Sequence, residues 1–170
     1  HAPSKGEGAY VLMASYRDQG NAGQPESELN IQGQFMFHSQ KIEAEDANEI
    51  SEGTNTWSTN SVKIVGGLVH NSFLRFDNVN LEKLHHLKYA AFYAGNYDYK
   101  GTLEIREGAV DGPIIGKQSL RYSGGAETIY YEIPIKSSLK TATMYLVFKN
   151  PENELRYIGH ADWISFDFQR

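Results

Sequence analysis

Between Lys41 and Ala47 the chain reads KIEAEDA, which sets Glu43, Glu45 and Asp46 close together. Glu43 and Glu45 alternate with Ile42 and Ala44. That period marks a half-buried β-strand and puts both glutamates on one face. Neighbouring like charges on a pleated surface repel unless something positive sits between them. Three chemistries fit the pair. Calcium takes hard oxygen ligands, which carboxylates and backbone carbonyls supply. A glycosidase places two carboxyl groups roughly 5–9.5 Å apart across a cleft. The plain alternative is a solvated acidic strand face with no ion. Nothing else in the sequence marks a cleft here, so the glycosidase reading is the weakest.

The remaining residue types narrow the chemistry further. There is no cysteine, which removes a disulfide framework, a Cys-ligated zinc site and a thiol nucleophile together. His85 and His86 are adjacent; on a strand they point to opposite faces and make no zinc pair. No Ser-His-Asp order, Gly-rich phosphate loop or zinc-protease motif occurs. The formal net charge is −5 with no cluster of Lys and Arg, which argues against a nucleic-acid partner because phosphates want concentrated cations. No apolar run approaches the ~20 residues of a membrane-spanning helix, so no membrane partner is expected. The opening HAPSKGEGAY lacks an apolar signal core and reads as a mature product or, preferably, an excised piece of a longer protein.

The elements that must position any site are strands. AYVLMASY (9–16), QFMFHS (34–39), KIEAEDA, SFLRFDNV (72–79), LKYAAFYAG (87–95), GTLEIRE (101–107), TIYYEIPI (128–135), TMYLVFK (143–149) and DWISFDF (162–168) are short and rich in aromatic or β-branched residues. Clusters of Gly, Asn, Asp and Ser separate them. Leu103 and Ile105 alternate with Glu104 and Arg106, and Met144, Leu146 and Phe148 share one face. Only VNLEKLHHLKY (79–89) could hold a helical turn. Many short strands without a long helix predict an all-β chain, a β-sandwich of jelly-roll type. The polar, Gly-rich stretch 17–33 reads as a long loop or linker. This divides the chain into an N-terminal extension, 1–40, with one or two strands packed on the sandwich, and the sandwich itself, 41–170.

From residue 41 onward the order of features resembles the family 6 carbohydrate-binding modules, non-catalytic β-sandwiches usually attached to secreted polysaccharide-active enzymes. The matching pieces are KIEAEDA, NSFLRFDNVNL (71–81), GTLEIREGAVDGPIIGK (101–117), YSGGAETIYYEIPI (122–135), MYLVFKN (144–150) and HADWISFDF (160–168). Each is weak alone; the order carries the resemblance. GAYVLMASYRDQG (8–20) is similar to the lead-in to such a module in large multidomain bacterial proteins. The resemblance implies that the acidic pair holds a structural calcium with a backbone carbonyl and an aspartate near the last strand. The matching positions are Glu43, Glu45 and Asp167.

It also implies a sugar site built from rings that stack on pyranose faces, with polar groups that fix the hydroxyls. In the family's usual loop-end site one ring follows a Gly-Gly, where this chain has Ala126. A second falls where this chain has Gly67, and the usual asparagine before the closing strand is His160. Replacement rings are Trp57, in the polar stretch SEGTNTWSTN (51–60), and Tyr97 and Tyr99, in YAGNYDYKG (93–101). The plain alternatives are that Trp57 folds over the core edge, that the tyrosines decorate a hairpin tip, and that His160 merely ends a strand. Trp163, in a closing strand, reads as core. The function expected is a calcium-stabilised, non-catalytic module of a secreted or periplasmic protein that tethers an attached enzyme to a polysaccharide or oligosaccharide. The alternative is a structural module that lost the sugar platform and packs against neighbouring domains of its parent chain.

Overall fold

The computed structural model describes residues 9–17, 30–38, 41–59, 62–82, 84–95 and 97–168. Its strands are β1 (Ala9–Arg17), β2 (Asn30–His38), β3 (Lys41–Glu43), β4 (Glu49–Ile50), β5 (Asn55–Thr59), β6 (Val62–Leu68) and β7 (Phe73–Asn80). The second half adds β8 (Leu84–Tyr93), β9 (Asp98–Glu107), β10 (Ile114–Ser123), β11 (Glu127–Pro134), β12 (Thr141–Lys149) and β13 (Gly159–Phe168). One sheet runs β10-β9-β12-β7-β4; the other runs β11-β8-β13-β6-β5, with β3 also paired to β13. The two inner faces form a single apolar core, so the chain is a β-sandwich of the expected jelly-roll type.

Alternation places the core. Met144, Leu146, Phe148, Leu103 and Ile105 are buried. Arg106 points outward and pairs with Glu104 on the same face. On β8, Leu87, Tyr89, Ala91 and Tyr93 join the core, which leaves His86, Lys88, Ala90 and Phe92 for the outer face. Among the described residues of 79–89 there is no helix. β7 runs to Asn80 and β8 restarts at Leu84, and Leu81, Leu84 and Leu87 are all buried.

One local expectation is corrected. The KIEAEDA segment is a strand only to Glu43; Ala44–Asp46 turn as a short 3₁₀ helix. Ala44 is buried, so the turn lays its small side chain into the core and carries Glu45 off the pleat. At the N-terminus, β1 and β2 pair with each other, register Ala9 to His38, as a sheet of their own that extends neither sandwich sheet. Much of the long stretch expected to link them lies outside the described residues, as do residues 1–8.

Candidate functional site

The outer face of the β11-β8-β13-β6-β5 sheet carries the rings. Trp57 lies on the edge strand β5, not in a loop, directly opposite Ile64 on β6. Its indole leans over the neighbouring Gly66: a Cβ there would collide with the indole nitrogen and come within 3.1 Å of His160 Nδ1. The bare glycine is therefore the floor on which Trp57 and His160 meet. Trp57 lies edge-on to His160 at 5.3 Å between centroids and to Phe92 at 6.2 Å. Phe92 in turn faces His160 at 6.3 Å, its direct cross-strand partner.

From His160 the cluster continues to Tyr99 at 6.0 Å and from Tyr99 to Tyr97 at 5.9 Å. All four ring residues expected from the sequence thus fall into one contiguous cluster. They are not equivalent. Tyr97 is 67% exposed, at the loop before β9. Tyr99, expected to bind sugar, is instead buried, with its hydroxyl donating to the Ala94 carbonyl. Strand β9 begins at Asp98, three residues before the start the loop reading assumed, and alternation puts Tyr99 on the same inward face as Leu103 and Ile105, beneath the site. It supports the cluster and offers no platform.

His160 is buried and its Nδ1 has no hydrogen-bond partner. Burial among rings disfavours the imidazolium and pushes its pKa down to about 4, so the ring is neutral at ordinary pH. A buried, unsatisfied nitrogen at the centre of an aromatic cluster is a cost that folded proteins rarely keep without use. Phe92 was not singled out from sequence; its signal was its outward register on β8. Gly67 has a positive φ of 74° and is crowded by the Gly53 carbonyl, so the turn before β5 covers the place where a ring was expected.

The carboxylate corner lies further along the same sheet. Glu43 is directly opposite Trp163 on β13. The β13 ladder skips one residue between Ala161 and Trp163, so Asp162 occupies a bulge. Asp162 is buried, and its pKa is raised to about 6 by burial first, then by the charges of Glu43 and Glu45. Glu45 is raised as well, chiefly by burial, and its Oε2 is enclosed without a partner. Lys41 reaches Glu43 at 2.7 Å and also stands 5.1 Å over the Trp163 ring.

Asp167, expected to complete this group, is elsewhere. It is opposite His86 on β8, and its carboxylate lies with His86 and Glu132, their ligand atoms within 4.8 Å of one another. The physical reason is register: Asp167 stands four residues past the residue opposite Glu43, roughly 13 Å along the strand. Asp162, hidden in the bulge, is the aspartate that Glu43 and Glu45 feel. Three mutually repelling carboxylates, one with an enclosed orphan oxygen, match a hard divalent cation's ligand chemistry. Trp163 is likewise not core: it is half-buried on the outer face.

The opposite outer face holds a recess of about 290 Å³ lined by Asn71, Phe73, Arg106, Val110, Asp111, Val147 and Lys149. Its charges are largely closed on protein groups. Arg106 donates to Glu104 and to the Gly112 carbonyl, and Lys149 donates to Asn71.

A ring-lined sheet face beside an acidic corner is the candidate site of this β-sandwich. Comparison with protein-family models and with curated proteins gives no match. Solved structures do match. A β-1,3-glucan-binding family 6 carbohydrate-binding module from Bacillus halodurans superimposes with a TM-score of 0.64 at 21% identity, covering 74% of this chain and 93% of that one. A family 6 carbohydrate-binding module from Clostridium cellulolyticum, solved with xylose, gives a TM-score of 0.62 at 22% identity, covering 75% and 95%. A family 43 arabinoxylan arabinofuranohydrolase from Bacillus subtilis, solved with cellotetraose, gives 0.63 at 16% identity, covering 76% of this chain but 27% of that one. The chain has the fold of the family 6 carbohydrate-binding modules.

Proposed function

We propose that this domain is a non-catalytic carbohydrate-binding module whose sugar site is the cluster of Trp57, Phe92, His160 and Tyr97. The observation that carries the reading is the placement of His160. Its buried, neutral ring with an unpartnered nitrogen sits among aromatic side chains, one of them fully presented at the loop. Rings exclude water from the apolar faces of a pyranose, while a neutral polar group answers a hydroxyl without the desolvation cost of an ion. The neighbours' sugars set the choice of ligands to try: β-1,3-glucan, cello-oligosaccharides and xylose-based chains. A solvent-open site of a few rings supports affinities of roughly millimolar to tens of micromolar. That suffices for tethering an attached enzyme in a secreted or periplasmic parent protein, where residence near a polysaccharide raises effective concentration.

In this reading Glu43, Glu45 and Asp162 hold a structural calcium ion. Calcium would neutralise three carboxylates and fasten β3 and the following turn to β13, the closing strand. Retention on polysaccharide affinity gels tests the sugar site. The parent protein should be retarded by at least one of these glycans, Trp57→Ala should run free, and Tyr97→Ala should be weakened with an unchanged melting curve. Retention unchanged in both variants would place the site elsewhere. No retention of the parent on any glycan would favour a structural module docked on neighbouring domains.

A further inference from the structure

The aromatic surface does not end at the cluster. Tyr130, on β11, is 67% exposed, and its ring lies 5.7 Å from that of Trp163 at 37°. Both are cross-strand neighbours of Ala90 on β8. Ala90 and Ile64 are fully buried although both belong to the outer face. Ala90 is covered by the rings on either side of it, as Ile64 lies beneath its partner Trp57. The outer face therefore reads, from one sheet edge to the other, Trp57 on β5, Ile64 and Gly66 on β6, His160 on β13, Phe92 and Ala90 on β8, Tyr130 on β11. Phe92 and Tyr130 are diagonal neighbours on adjacent strands, with Thr128 directly opposite Phe92. Lys88 and Glu132, directly opposite each other one rung on, give the strip a polar margin.

We propose that this strip is one saccharide track: a chain held at Trp57, His160 and Phe92 continues across the strands onto Tyr130. The ligand class is then an internal segment of several sugar units rather than a chain end or a monosaccharide. From β5 to β11 there are four inter-strand spacings, roughly 19 Å, which accommodates several units lying perpendicular to the strands. A track suits sugar chemistry. Each exposed ring presents an apolar surface to one pyranose. The inference rests on the sugar-binding reading above and extends it to length selectivity.

The test is calorimetric titration with cello- and β-1,3-gluco-oligosaccharides of two to six units. The parent should bind the longest about tenfold more tightly than the disaccharide, the gain of roughly one stacked ring. Tyr130→Ala should remove that gain and leave disaccharide binding alone, and Tyr130→Phe should restore it. Trp57→Ala should weaken every length. A Trp57-dependent disaccharide site with no Tyr130-dependent gain would overturn the track alone. Disaccharide binding indifferent to Trp57, or no binding at any length, would overturn the track together with the reading beneath it.

Discussion

The two outer faces of the sandwich solve opposite problems with the same strands. On the β10-β9-β12-β7-β4 face, charged residues occupy the outward positions and satisfy one another. Arg75 pairs with Glu49 and Asp77, and Arg106 and Lys117 share Glu104. Burial alone would raise Glu104, yet the hydrogen bonds from Arg106 and Lys117 hold it below the usual carboxylate range. Its recess does contain Phe73, edge-on to Tyr145 at 5.8 Å, but the polar groups around that ring are already engaged. On the other face the rings stand over small floor residues, and a central imidazole lacks a partner. The charged face spends most of its hydrogen bonds within the protein, whereas the other face keeps a buried, unpartnered nitrogen at the centre of its rings.

The largest effect should therefore separate the faces outright. Trp57→Ala should lower glycan retention tenfold or more, about 1.4 kcal/mol or above. Phe73→Ala should change retention less than twofold on the same gel. The reverse ranking would move the binding site to the charged recess.

Next in size is the metal corner. Saturating calcium over chelator should stabilise the native state by RT ln(1 + [L]/Kd), about 2.7 kcal/mol at a hundredfold excess, several degrees in melting temperature for a domain of this size. The shift should vanish in Asp162→Asn and survive in Asp167→Asn, since Asp162 is coupled to Glu43 and Glu45 while Asp167 lies with His86 and Glu132. Without metal, Asp162 has a folded pKa of about 6 against an ordinary 3.8. The folded state then holds a proton that the unfolded chain has lost, so this contribution to stability is full below 3.8 and is lost as pH rises through about 6. Calcium needs the ionised form. Its stabilisation should accordingly be large at neutral pH and shrink as pH falls below about 6. Identical melting curves with calcium and with chelator at neutral pH would remove the ion.

A smaller effect tests the floor of the ring cluster. Gly66→Ala keeps an allowed backbone but thrusts a methyl group into the Trp57 indole. Retention should drop severalfold while the melting temperature falls by a few degrees at most, because Trp57 is on an edge strand and can swing outward. Full retention would mean the indole is not held where it is described.

What could be read from the sequence, and what could not, follows the reach of each signal. Alternation in TLEIRE and TMYLVFK is local, and the strands fell where it placed them. The meeting of Tyr97 and His160 was legible because strand ends of a sandwich share poles, whereas Trp57 joins them from the middle of edge strand β5. The partner of the acidic pair was not, because a bulge is a property of two strands in register. HADWISFDF offers Asp162 and Asp167 equally until β8 counts off the rungs. Tyr99 was misplaced for a related reason: β9 runs from Asp98, so Tyr99 falls within the strand, on the inward face of Leu103 and Ile105, and not in a loop. Phe92 and Tyr130 were not singled out as site residues, because alternation can mark them as outward without showing which rings from other strands gather beside them.

The smallest expected effect is an absence of one. His160 meets Trp57, Phe92, Tyr99 and the backbone of Gly66, and none of these carries a charge near neutral pH. Burial holds its folded pKa at about 4, below the ordinary 6.5. Between those values the unfolded chain takes up a proton that the folded state refuses. This contribution to stability is therefore complete above 6.5 and is lost as pH falls through about 4. Binding follows a different rule. If the ligand meets a neutral ring, retention measured with saturating calcium should be level from about pH 5 to about pH 8, where an exposed histidine would switch its charge. The calcium matters, because it takes the titration of Asp162 out of the comparison. Affinity that rises several-fold as the pH falls below 6 would show an imidazolium reaching the sugar, and the neutral, buried ring would then be the wrong account of how this face differs from the other.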